Sequence, residues 1–179
     1  VKEVFSDCEQ LGCRINYREE NIPWKNWNEE WEKNFQPEII ADRIYVRAAF
    51  HPPNPGFPIE ILIQPRMAFG TGHHPTTAQV MEMMLGMDFN GKKVIDMGCG
   101  TGILAILAVK RGAISVIAID NDANAVENSR DNVLKNDVAN VIVLEGEAAA
   151  LKDKQCDIFI ANINRNIILT DLPLYKACM

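Results

Sequence analysis

The sequence predicts an α/β fold organised on a parallel sheet, and two observations predict it. Residues 93–120 read KVIDMGCGTGILAILAVKRGAISVIAID: an apolar run at 94–97, a glycine-rich turn, an apolar helical stretch to about Arg111, and a second apolar run at 116–119. Strand, turn, helix and strand in that order make a βαβ unit, whose two strands lie parallel with a right-handed crossover. Two further short apolar runs, at 141–144 and 157–161, follow as a third and a fourth strand.

The elements before that unit are mixed. Residues 13–18 (CRINYR) alternate enough for a strand, and 1–20 reads as the remnant of a preceding small α/β domain. Residues 23–35 form a helix with Pro23 at its start and Trp24, Trp27, Trp31 and Phe35 on one face, a stiff interdomain linker assigned to 21–40. Residues 43–50 and 58–64 are two strands joined by the loop HPPNPGF, expected to form an antiparallel extension outside the parallel sheet, with His51 on the loop surface. Then Gly70, Thr71 and Gly72 make a flexible loop, and Thr76 or Thr77 opens a helix with Val80, Met83 and Met84 facing inward. No Gly-Lys-Ser/Thr is present, so this is not a phosphate-binding P-loop. His73 and His74 are adjacent, point apart and lack a third ligand nearby, so no metal is expected. After the central unit, Asp122 caps a helix running to about Asn136.

Composition narrows the function. A net charge of −6 and a pI near 5.1 argue against a nucleic-acid binder and are compatible with a basic protein as partner. The five cysteines, Cys8, Cys13, Cys99, Cys156 and Cys178, are scattered and never form a C-x-x-C pair, which reads as reduced thiols in a cytoplasmic protein. No apolar run reaches membrane length and no signal peptide is visible. Val1 is not an initiator and a parallel sheet normally continues beyond a fourth strand, so the chain reads as a fragment of a longer protein.

The turn carries the chemistry. Gly98, Gly100 and Gly102 allow a tight bend and close approach to a ligand, and the helix behind them starts with amide donors. Asp120 ends the second strand 22 positions after Gly98, where a carboxylate accepts ribose hydroxyls. A dinucleotide turn is G-x-G-x-x-G, but here the third glycine comes one place early. Asp96, two places before the first glycine, would repel a pyrophosphate and suits a cationic amino group. S-adenosylmethionine has an ammonium, a ribose and no phosphate. The alternative is an ordinary βα turn that binds nothing. Asn162, at the carboxyl end of the fourth strand, points at the same crevice, unless it only turns the chain.

The pattern D-x-G-x-G-x-G resembles motif I of the class I methyltransferases. Three segments in order, AFGTGHHPTT at 68–77, VIDMGCGTGILAI at 94–106 and IANIN at 160–164, together with a WNEEW helix, resemble the bacterial methyltransferases of ribosomal protein eleven of the large subunit. The resemblance implies a Rossmann-like class I methyltransferase sheet with its first four parallel strands present and later ones missing. It implies an S-adenosylmethionine-binding domain over 41–179 and a ferredoxin-like substrate-recognition domain ahead of the linker, of which 1–20 is the remnant. By the same likeness Thr77, Gly98, Asp120 and Asn162 contact S-adenosylmethionine, with Asp96, Gly100, Phe69 and Gly70 completing the candidate set. The loop at 69–77 is expected to hold the methionine carboxylate, with Thr77 at that group.

The reaction then implied is methyl transfer to a lysine or N-terminal amine of that ribosomal protein. Asn162 is the candidate to orient the nitrogen, and no residue stands out as a strong general base. The strand end IANIN has neither the prolines nor the aromatic that clamp a flipped nucleobase, which disfavours a nucleic-acid substrate. A class I methyltransferase for another protein or a small molecule, and an inactive cofactor-binding fragment, are the alternatives.

Overall fold

A computed structural model describes residues 36–64 and 74–179. The chain divides at Phe35, and the description concerns the second unit, Gln36–Met179. The expected strand at 13–18, the aromatic-faced helix at 23–35, and Phe69, Gly70 and His73 lie outside the described residues.

The first elements form a small sheet of order β1-β2-β3, made of Glu38–Ile40, Ile44–Arg47 and Ile59–Leu62. Residues 38–40, assigned by sequence to the linker, are thus a strand. Strands β1 and β2 pair antiparallel. Ala41 and Asp42 between them both have positive φ, 50° and 52°, the twist that suits a tight hairpin. Strands β2 and β3 run parallel, from Ile44 opposite Ile59 to Arg47 opposite Leu62. The antiparallel pairing expected of these two strands is therefore corrected; the antiparallel partner is β1. The connection over 48–58 is long enough to bring the chain back to the starting end, as a parallel pair requires. Arg47 holds it there. Its guanidinium donates to the carbonyl of His51 at 3.0 Å and pairs with Glu60 at 2.9 Å, while the other Glu60 oxygen accepts from the Asn54 amide at 3.1 Å. His51 is no idle surface residue: its Nδ1 accepts from the amide of Ala48 at 3.2 Å.

Helix α1, Pro75–Leu85, begins one step before the threonines. His74 is its N-cap and its ring nitrogen accepts from the Thr76 amide; Pro75 takes the first helical position, where a missing N–H costs nothing. The inward stripe is Thr77, Met81 and Met84, spaced i, i+4 and i+7. Met83, expected inside, is 69% exposed.

The main sheet is parallel, with β4 Lys93–Met97, β5 Ser115–Asp120, β6 Val141–Glu145 and β7 Ile158–Ala161 in the order β6-β5-β4-β7. Helix α2, Ile103–Lys110, links β4 to β5, and α3, Ala123–Lys135, links β5 to β6 with Asp122 as its N-cap. A 3₁₀ turn at Ala148–Leu151 precedes β7. Alternate residues of each strand face opposite layers. Val94, Val116, Ala118 and Ile160 join the core with α1, α2 and α3, while Ile95, Met97 and Ile119 join a second one.

That second core is closed by α4, Arg165–Ala177, an element the sequence reading did not anticipate. Asn164 caps it through the Asn166 amide at 2.8 Å. Pro173 inside α4 removes one helical donor, on a turn where the carbonyl left over belongs to exposed Leu169. Tyr175 stacks on Phe159 of β7 with centroids 4.6 Å apart. Cys99, Cys156 and Cys178 are free and buried.

Candidate functional site

From β4 the chain goes to β5 and β6 on one side, then returns to β7 on the other. The carboxyl end of β4 is therefore the switch point of the sheet, where open α/β folds form their crevice. The glycine turn sits there. Gly98, Gly100 and Gly102 have φ of 72°, 55° and 77°. At two of them nothing larger fits: a Cβ on Gly98 would fall within the Ile163 side chain, and one on Gly102 within that of Ser129.

The amides of the turn are committed inside the protein. Gly98 and Cys99 both donate to the Ile119 carbonyl, at 2.8 and 3.0 Å, and Gly102 donates to the Cys99 carbonyl at 2.8 Å. Gly100 donates to Asp120 Oδ2 at 2.8 Å, and the other Asp120 oxygen accepts from the Asp122 amide at 3.0 Å. The amides of Gly98, Cys99, Gly100 and Gly102 are thus taken up within the protein, whereas a phosphate site needs such donors free.

Beside the turn lies a cleft of about 590 Å³, ample for a nucleoside-sized molecule. Gly98 and Asp120 line it, as do Met97, Ile163, Ile167 and Leu174 as its apolar walls. Among the described residues three carboxylates line it, those of Asp120, Glu147 and Asp171, and no lysine, arginine or histidine does. Such a lining favours a cation. Sequence reasoning missed Glu147 and the α4 contribution. Both had signals: Glu147 follows the third parallel strand at its carboxyl end, and Asn164 is a recognisable helix cap.

Asp96 is not part of the cleft wall. It shares the Val94 face of β4, toward α2, and is fully buried with no hydrogen-bonding partner of good geometry for either oxygen. Burial pushes its carboxyl up to about 7; the Ala105 amide draws it down and the charge of Asp120 raises it. Cys99, also buried near both carboxylates, has its thiol pushed up, chiefly by burial.

Two remaining candidates meet. Asn162 Nδ2 donates to Thr77 Oγ1 at 3.2 Å, across 85 positions of sequence, and Thr77 is 2% exposed. The next residue, Ile163, is the one lying against Gly98. The end of β7, the start of α1 and the end of β4 thus converge at the switch point. His74 contacts Thr76 as a helix cap, and no group of three metal-ligating side chains exists among the described residues.

The family model for ribosomal protein L11 methyltransferase (PrmA) matches residues 2–177. The chain belongs to this family. A ribosomal protein L11 methyltransferase of Phocaeicola vulgatus is 51% identical over 181 residues, covering 100% of this chain and 64% of that protein. One of Porphyromonas gingivalis is 52% identical over 168 residues, covering 93% of this chain and 58% of its own length. The chain thus spans about three fifths of the curated relatives it matches. The crystal structure of the ribosomal protein L11 methylase from Lactobacillus delbrueckii subsp. bulgaricus superposes with a TM-score of 0.73 at 26% identity, covering 81% of this chain and 75% of that one. The parallel sheet is accordingly that of a Rossmann-like methyltransferase, preceded by a small separate sheet. No helix among the described residues is long and apolar enough to cross a membrane.

Proposed function

We propose that this chain carries the cofactor-binding and methyl-transfer site of an S-adenosylmethionine-dependent protein N-methyltransferase, with lysine or N-terminal amines of ribosomal protein L11 as acceptors. The observation that carries the reading is the bond between Thr77 and Asn162 beside Gly98, which gathers residues from three segments at the switch point. The cleft fits the cofactor on chemistry: carboxylates with no opposing cation among the described residues, and a turn whose glycine amides are committed elsewhere, suit a sulfonium and an ammonium and not a pyrophosphate.

In this reading Asp120 takes the ribose hydroxyls, Gly98 and Gly100 form the floor under the nucleoside, and Met97, Ile163, Ile167 and Leu174 exclude water. Asp96 sits behind the turn as a carboxyl that a bound cation draws toward its charged form, and Phe69, Gly70 and Thr77 belong to the segment at the methionine end. When bound, S-adenosylmethionine would supply a methyl on a sulfonium: a neutral amine would take that methyl in line as the C–S bond breaks, the thioether product leaving with the electron pair and the methylated ammonium losing a proton to water. With its Nδ2 held by Thr77, Asn162 offers Oδ1 to an N–H of the incoming amine and turns the nitrogen lone pair away from itself. The low-dielectric surroundings favour the neutral amine, and positioning supplies most of the acceleration. The domain reading belongs to the same proposal: a recognition-domain remnant at 1–20, a linker to the start of β1, and the methyltransferase domain after it, in a cytoplasmic protein.

The test is a calorimetric titration with S-adenosylmethionine, in competition with NAD, followed by methyl transfer to purified ribosomal protein L11. Tight, NAD-insensitive binding is expected. Asn162→Ala should lower transfer at least tenfold with cofactor affinity changed less than threefold. Binding without any transfer by the unsubstituted chain would favour a unit that binds the cofactor and does not by itself transfer; tighter binding of NAD would sink the reading.

A further inference from the structure

The side of α3 that faces the protein interior carries polar residues beside its apolar ones, Ala125, Val126 and Val133. Asn128, Ser129 and Asn132 are 0% exposed. Asn132 makes two different connections: its Nδ2 donates to the Thr101 carbonyl at 2.9 Å, and its Oδ1 accepts from the Gln64 amide at 2.7 Å. One turn later Asn136 grips a single residue of β3 twice, with Nδ2 on the Leu62 carbonyl at 2.6 Å and Oδ1 on the Leu62 amide at 2.9 Å. Asn136 therefore substitutes for a strand partner. Asn132 does half of that and uses its other half on the glycine turn.

Thr101 lies between two glycines with positive φ, Gly100 at 55° and Gly102 at 77°. Glycines have no side chain to anchor such a bend, so its shape depends on what holds its peptide groups. The Gly100 amide is the donor that holds Asp120 Oδ2, and the Thr101 carbonyl is the handle on its other side. Burying a carboxamide in a helix interior is costly unless every partner is met, and a leucine of similar size would pack without that cost. We propose that Asn132 is a positioning residue of the cofactor site: by gripping the Thr101 carbonyl it sets the bend that places the Gly100 amide, and through it the Asp120 carboxylate, against the cleft. Asn132 touches no ligand and acts through the turn. The inference rests on the proposed reading of the cleft as the S-adenosylmethionine site.

The experiment compares Asn132→Leu, Asn132→Asp and Asn136→Leu in the full 179-residue chain. Asn132→Asp keeps the acceptor for the Gln64 amide and puts a carboxylate oxygen against the Thr101 carbonyl; Asn136→Leu removes the neighbouring clamp without touching the turn. Three readouts are taken: thermal stability, hydrogen exchange of the Gly100 amide, and Kd for S-adenosylmethionine. Both Asn132 variants should speed Gly100 exchange and raise Kd at least tenfold, whereas Asn136→Leu should lower stability with Kd within twofold of the unsubstituted chain. Equal losses of stability at the two asparagines with normal Gly100 protection and normal Kd would overturn the proposal and leave Asn132 as packing. If Asn132→Leu does not fold, normal exchange and affinity in Asn132→Asp overturn it equally. Absence of binding by the unsubstituted chain would sink the cofactor reading, and Gly100 exchange alone would then decide whether Asn132 holds the turn.

Discussion

The two sides of the glycine turn differ, although the carboxylates that mark them stand on neighbouring strands. In front of it, Asp120 stands half-buried at the cleft, with each oxygen already bonded to a backbone amide. Behind it, Asp96 is wholly buried with neither oxygen well bonded. The two carboxylates lie on elements paired side by side, Asp96 opposite Ala118 and Asp120 two residues beyond it. Environment separates them: the oxygens of Asp120 accept from two backbone amides, while burial pushes the Asp96 carboxyl up to about 7. A carboxyl that is easily protonated behind a cleft lined by acids is poised to respond to a bound cation.

The largest effect expected from breaking this contrast is on stability against pH. Asp96 goes from 3.8 to about 7 on folding, so in that interval the unfolded chain releases this proton before the folded one does. Its contribution is present in full below about pH 4 and is lost as pH rises to 7, by as much as about 4 kcal/mol if no relaxation intervenes. Asp96→Asn should flatten that portion of the profile, measured by denaturant unfolding across the interval. A slope identical to that of the unsubstituted protein would mean that Asp96 ionises normally in the folded state. A cation bound nearby lowers the carboxyl again, so binding near pH 7 should release protons, seen as a dependence of the calorimetric heat on buffer ionisation enthalpy.

A smaller loss, roughly 2 kcal/mol, is expected for Gly98→Ala, where a positive φ and the Ile163 side chain act together. Adding Ile163→Ala should recover the steric share and leave the backbone share, so the double variant will be more stable than the sum of the two singles predicts. Strict additivity in thermal unfolding would show that the turn and Ile163 are independent.

The smallest effect is at the mouth of the cleft. Glu147 is exposed, so Glu147→Gln should weaken S-adenosylmethionine by less than about 1 kcal/mol, and less still at high salt. The demethylated product, which lacks the sulfonium charge, should lose less. Equal losses for both molecules would remove charge complementarity as the reason for the acidic lining.

What could be read directly from the sequence was what local physics controls. The run at 93–120 carries its own strand periods, its glycines and its terminal acid, and Asp122 capping a helix to Asn136 is chemistry between near neighbours. Segments matched to a family also placed Thr77 and Asn162 on one site, and the structure joins them by a hydrogen bond. Tertiary structure decided the rest. The parallel pairing of β2 and β3 depends on where Arg47 pins the returning loop, and nothing in a Pro-rich stretch announces its direction. Met81 and not Met83 turns inward because of what α1 packs against, since the two positions point in different directions about the helix and only the core chooses between them. Whether the turn's amides face a ligand depended on the Ile119 carbonyl and the Asp120 carboxylate, groups some twenty residues away that only packing brings to Gly98 and Gly100. The burial of Asp96 and the grip of Asn132 on Thr101 are of the same kind: their residue types are visible in the chain, but a carboxyl's charge and a carboxamide's partners are set by neighbours that only the folded sheet supplies.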